Sequence, residues 1–138
     1  MKIIIDTNIA LDVLFNRVEF FQESYEILKL TALESIAGFI TTNAVTDMYF
    51  VLNKNSKDAL KSRNAVEQLV KLVNLESIIP GDIMAAFASN ITDFEDAVVS
   101  SAAKRIKADY IVTRNEKDFT SSPVPAIAPI DFLDKFIR

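Results

Sequence analysis

Residues 3–5 of the chain are three consecutive isoleucines, and they run directly into Asp6-Thr7-Asn8. β-Branched side chains pack well on a pleated surface. An unbroken apolar run, in place of an alternating one, calls for burial on both faces, the position of a central strand in a parallel sheet. Helices must then cover that strand above and below. In open α/β sheets ligands bind at the carboxyl ends of strands, and Asp6 stands at such an end. Asp, Thr and Asn are also favoured helix N-caps, so Asp6 alone has a structural reading as good as its chemical one.

Strands and helices alternate along the rest of the chain. Apolar spacing predicts a helix over 7–15 with Ile9, Val13 and Leu14 inward and Asp12 outward, a turn at Asn16-Arg17, and a second helix over 18–35. A strand over 37–41 leads to a helix that Asn43 would cap and that runs to about residue 53. Ser56 or Asp58 would cap the next helix, with Ala59, Val66, Leu69, Val70 and Val73 on its inner face. A third strand over 75–79 stops at Pro80-Gly81, and a short helix covers 82–89. Thr92 and Glu95 have capping-box spacing for a helix through 97–103. A strand over 109–113, an edge strand near 124–127 and a helix over 131–136 complete the chain. There is no linker, repeat or low-complexity tract. The expectation is one domain, residues 1–138, with a three-layer α/β/α fold and a short, mostly parallel central sheet.

Two absences bound the chemistry. The chain has no His and no Cys, which removes Ser-His and Cys-His nucleophiles, histidine general bases, and zinc sites built on imidazole or thiolate. Catalysis must run on carboxylates, hydroxyls, lysines or a hard metal ion. Without disulfides a cytoplasmic location is expected. Asp6 interrupts the only N-terminal apolar run, which argues against a signal peptide, and no run approaches the roughly 18 residues of a membrane span. A net charge of -4 argues against passive binding to a nucleic-acid backbone, though not against a nuclease whose acidic site is screened by divalent cations.

Polar groups recur at the predicted strand ends. Asp6 and Asn8 follow the first strand, Asn43 and Asp47 the second, and Thr113, Asn115 and Asp118 the fourth. Asp47 is the one charge in the otherwise apolar stretch 44–52, so it needs a cleft, a partner or a narrow solvent-facing stripe. Asp93, Glu95 and Asp96 open a helix, where acids are favoured by the macrodipole, and Asp93 and Asp96 lie one turn apart. Clustered carboxylates raise one another's pKa unless a cation compensates. An all-oxygen set suits Mg²⁺ or Mn²⁺, which can activate water and stabilise a leaving oxygen in phosphodiester cleavage. Lys54, Lys57, Lys61 and Arg63 form the densest basic cluster, read first as a solvated face.

Four pieces in order, Ile5-Asp6-Thr7-Asn8, Asp47, the stretch from Asp96 to Ala103, and Val112-Thr113-Arg114-Asn115-Glu116-Lys117-Asp118-Phe119, resemble the PIN-domain family. These are metal-dependent ribonucleases that include toxins of bacterial toxin-antitoxin pairs. The resemblance covers essentially the whole chain. It implies Asp6, Asp47 and Asp96 as carboxylates around a Mg²⁺ or Mn²⁺ ion, with Asp6 and Asp96 as direct ligands. The family's fourth position, often acidic, falls on Asn115, with Asp118 nearby as a substitute, and many relatives carry Glu where Asp47 stands. Thr7, Asn8, Asp93, Thr113 and Asp118 would orient ligands and water. Lys54, Lys57, Arg114 and Lys117 are candidate RNA contacts. A homodimer or a small antitoxin partner is expected, because Val18, Phe20, Phe21, Tyr25, Ile27, Leu28 and Leu30 exceed what one inward helix face needs. Two alternatives remain: a PIN-like scaffold without catalysis, weakened by the three Asp residues, and a receiver domain, whose adjacent acids and third-strand Asp are missing.

Overall fold

In the computed structural model, which describes residues 1–138, the isoleucine run forms β1 (Lys2–Ile5), with all three side chains buried. Each such burial stabilises the fold by about 1.5–3 kcal/mol. The chain continues through α1 (Thr7–Leu14), α2 (Phe21–Ala32), β2 (Ala37–Thr41), α3 (Thr42–Ser56), α4 (Ala59–Val70) and β3 (Asn74–Glu76). It then forms α5 (Pro80–Phe87), α6 (Phe94–Arg105), β4 (Tyr110–Val112), a 3₁₀ turn (Glu116–Phe119), β5 (Ala126–Ile127) and α7 (Pro129–Phe136). No helix is long and apolar enough to cross a membrane.

All four strand pairings are parallel, in the order β3-β2-β1-β4-β5. The first three strands step one way from β1, and α5 with α6 then carries the chain back to β1's other edge. The order therefore reverses between β1 and β4, where an open sheet leaves a crevice outside its carboxyl ends. Side chains alternate across the sheet. Ile3 and Ile5 pack with Ile9, Leu28, Met48 and Phe132 on the face covered by α1 to α4 and α7. Ile4 packs with Val99, Ala103 and Phe119 on the face of α6 and the 3₁₀ turn. The layers are α/β/α, as the apolar run implies.

One glycine sets how closely a helix lies on the sheet. A Cβ at Gly38 in β2 would collide with the Thr31 side chain of α2 and press on Ile5 Cδ1. On the opposite side, Arg105 forks onto Asp82, with Nε to Oδ1 at 2.9 Å and Nη2 to Oδ2 at 3.0 Å. That pair ties α5 to α6 and so fixes the loop that delivers Asp93.

Several expected boundaries move. Pro80 opens α5 instead of ending a strand, because at the first helical position its missing N–H is no loss. Thr41, not Asn43, is the N-cap residue of α3, and Asn43 Oδ1 is buried without a partner. Asp93, not Thr92, caps α6 by accepting from Asp96 N at 3.0 Å. The largest departure is Asp12, expected on the outer face of α1 and found fully buried. Guanidinium groups from Arg17 and Arg114 meet it there, so the charge is matched inside the fold.

Candidate active site

At the reversal of strand order, Asp6 ends β1 and its N–H donates to Val112 O of β4 at 3.0 Å. The Thr113 hydroxyl, fully buried, donates to Asp6 Oδ2 at 2.7 Å and accepts from Asn115 N at 3.0 Å. Asp6 occupies the N-cap position of α1, yet its side chain makes no capping bond. One oxygen of the carboxylate is thus held by the residue that follows β4.

Asp6 opens into a cleft of about 340 Å³. From α1 come Thr7 and Asn8; from α3 come Asp47, Phe50 and Val51. The start of α6 contributes Asp93, Glu95 and Asp96, and the segment after β4 contributes Asn115 and Asp118. Six of the eleven lining residues (Asp6, Asp47, Asp93, Glu95, Asp96, Asp118) are acidic and none is basic. Every predicted carboxylate of the site lies in this one cleft, and Thr113 stands behind it. Lys54, Lys57 and Lys117 are exposed outside it. Arg114 does not line it, because its guanidinium is committed to Asp12.

The crowding shifts the acids. Desolvation raises the Asp6 pKa, against the Thr113 hydroxyl, the Thr7 backbone N–H and Arg114. Asp96 is pushed up to about 7, first by desolvation and then by Asp93, Asp6 and Asp118. Glu95 also rises to about 7, by desolvation and then by a hydrogen bond to Asp47 and the charges of Asp47, Asp93 and Asp96. A hydrogen bond between two carboxyls requires that one of them hold a proton. Capping-box spacing assigns Glu95 only a capping role, and no local pattern marks Phe50 or Val51 as cleft residues. An acid at the second position of a helix was a visible signal, but its pairing with Asp47 joins two elements that sequence spacing does not connect.

No three of these carboxylates converge on one point as a ready-made ion cage. The donor chemistry nevertheless suits a hard divalent cation: the side chains offer oxygen alone, carry excess negative charge, and retain protons near neutrality.

A parallel sheet in this order, with an acidic crevice where the order reverses, defines a class, and the chain belongs to the PIN-domain family, whose profile matches residues 2–117. No curated protein matches its sequence. Among solved structures, VapBC2 of Rickettsia felis, bound to a DNA fragment from its promoter, superposes with a TM-score of 0.73 at 16% identity, covering 93% of this chain and 98% of that one. FitAcB of Neisseria gonorrhoeae gives 0.70 at 17% identity, with 93% and 98% covered. A toxin-antitoxin complex from Klebsiella pneumoniae gives 0.63 at 21%, with 91% and 96% covered. At these identities the likeness is one of fold.

Proposed function

We propose that the chain is a Mg²⁺- or Mn²⁺-dependent endoribonuclease that hydrolyses RNA phosphodiester bonds at this cleft, acting as the toxin of a toxin-antitoxin pair. The observation that carries the proposal is the meeting of Asp6, Asp47 and Asp96, from three separate elements, in one crevice where burial, with neighbouring carboxylates, raises the pKa of Asp6 and Asp96. Asp6 and Asp96, with Asp47 beside them, would hold the ion. When bound, it supplies charge compensation for an anionic substrate and activation of water.

The chain's own groups have defined tasks. Thr113 holds one oxygen of Asp6 and leaves the other toward the cleft. Asp93 fixes the first turn of α6 and thereby the placement of Asp96. Asn8, Asn115 and Asp118 line the same space and can bond to water or to the sugar-phosphate chain. Lys54 and Lys57 at the end of α3, with Lys117 beside Asp118, supply positive charge outside the cleft for flanking phosphates.

Purified protein should cut RNA with Mg²⁺ or Mn²⁺, stop with EDTA, and leave a 5′-phosphate and a 3′-hydroxyl, since water is the nucleophile. Cleavage that survives full chelation, or a cyclic phosphate product, would overturn the reading. The toxin role is supported by fold relatives solved as toxin-antitoxin complexes. It requires a small co-purifying protein from an adjacent reading frame. Self-association is part of the same proposal, on a different surface from the expected one. Ile27 and Leu28 of the α2 set are buried in the core and Phe20 covers Arg114, whereas Phe50, Met84, Phe87 and Phe94 are exposed on α3, α5 and α6, with Phe87 and Phe94 rings 4.8 Å apart. A monomeric mass across micromolar concentrations would count against it.

A further inference from the structure

The buried charge in α1 has no part in the cleft, yet it is connected to it. Asp12 accepts four hydrogen bonds: Arg114 Nε to Oδ2 at 2.8 Å, Arg114 Nη2 to Oδ1 at 2.9 Å, Ser24 Oγ to Oδ2 at 2.9 Å, and Arg17 Nη1 to Oδ1 at 3.2 Å. The two bonds from Arg114 form a planar fork, which fixes orientation as well as distance. Phe20 covers the same guanidinium, 3.9 Å from the ring centroid. Arg114 is therefore held on three sides: by a carboxylate, by an aromatic face, and by its own backbone at the end of β4.

Its neighbours in sequence are the residues that hold the cleft. Thr113, one residue before, bonds Asp6 Oδ2 through its hydroxyl, and Asn115, one residue after, bonds that hydroxyl through its N–H. We infer that the Asp12–Arg114 pair is a positioning clamp for the cleft: it locks residues 113–115, which keeps the Thr113 hydroxyl on Asp6 and Asp6 in one orientation. Arg114 is thus a positioning residue and not an RNA contact. The inference rests on the proposed nuclease reading.

A buried ion pair is weak evidence for stability, since apolar residues of similar volume often replace it without loss. That property separates a clamp from a simple stabiliser. In the double variant Asp12→Leu/Arg114→Met the buried charge is gone and the space is refilled. Arg17, with a side chain 37% exposed, can turn to water. With Ser24→Ala added, so that the buried hydroxyl that bonds Asp12 is not left unpaired, the melting temperature should stay near that of the wild type, kcat for RNA cleavage should fall by about 10- to 100-fold, and KM should change little. Hydrogen exchange of the Asn115 amide, which reports the bond to Thr113, should accelerate in the metal-free protein.

Arg114→Lys, which keeps the charge but not the fork, should reproduce the loss of kcat. If it instead restores wild-type turnover, electrostatics and not positioning is the cause. A folded triple variant with wild-type kcat and unchanged Asn115 exchange would overturn the clamp. If the wild type itself fails to cut RNA, the nuclease reading falls, while the exchange of Asn115 still decides whether the pair orders the loop.

Discussion

Neutralising Asp6 tests the cleft most directly. Asp6→Asn removes one charge from a crevice in which Asp47, Asp93, Glu95, Asp96 and Asp118 are its neighbours. Asn has the same size, and its oxygen can still accept from Thr113 Oγ1, which now bonds Asp6 at 2.7 Å. No helix cap is lost, because the Asp6 side chain makes none. The metal-free variant should therefore melt at or above the wild-type temperature. Metal reverses the comparison. A ligand at a hundredfold excess over its dissociation constant stabilises the native state by about 2.7 kcal/mol. For 138 residues, at about 2.1 cal/mol/K of unfolding entropy each, that is a rise of about 9 °C in melting temperature.

The assay is calorimetry with EDTA and with saturating Mg²⁺, alongside RNA cleavage by the same preparations. The wild type should gain the full shift, and Asp6→Asn less than half of it with nearly all cleavage lost. Glu67→Gln is the matched control: it removes an exposed carboxylate of α4 that pairs only with Lys71 at 3.5 Å, an interaction worth about 0.3–0.5 kcal/mol. It should leave the metal shift and cleavage intact. If Asp6→Asn retains both cleavage and the full metal shift, Asp6 is no ligand and the reasoning fails.

Metal binding should also be linked to protons. Asp96 and Glu95 stand near 7 without metal, so Mn²⁺ affinity, followed by electron paramagnetic resonance, should weaken by about ten- to a hundredfold per pH unit below 7. Affinity that is flat from pH 5.5 to 7.5 would contradict this. The same raised values make the metal-free fold most favoured below the unfolded-chain values of about 4, with that contribution lost as pH rises through 7. In EDTA the wild type should therefore lose melting temperature between pH 5 and 7.5 more steeply than Glu95→Gln. Gly38→Ala should cost about 1–3 kcal/mol in urea unfolding, because the new methyl meets Thr31 and Ile5; a neutral result would mean that α2 can shift off β2 freely.

The fold and the acids of the cleft other than Glu95 were legible for a simple reason: their signals are local. Three isoleucines in a row require a strand covered on both faces, and the burial of Ile4 apart from Ile3 and Ile5 is what that requirement means in three dimensions. Polar residues at strand ends mark the crevice side without knowledge of strand order. Helix boundaries were less legible. Pro80 reads equally well as a strand terminator and as a helix opener, and Thr92 and Asp93 are adjacent caps of similar quality. Only the packing of the turn between α5 and α6 decides that the Asp93 carboxylate, and not the Thr92 hydroxyl, caps α6.

Asp12 shows where local reasoning ends. A charged residue in an amphipathic helix is placed outward because burying it alone is prohibitive. That rule assumes no partner, and although Arg17 is near in sequence, the guanidinium that forks onto Asp12 lies 102 residues away, just past β4. Arg114 reaches α1 only because the sheet order brings β4 beside β1, and that order is set by the crossover of α5 and α6. The topology that makes the crevice at Asp6 therefore also brings Arg114 to Asp12. Site and clamp are two consequences of one reversal in strand order. Arg114, adjacent in sequence to Asn115 of the cleft, is held by Asp12 and so does not line the cleft, which leaves the carboxylates there without a basic neighbour in the lining.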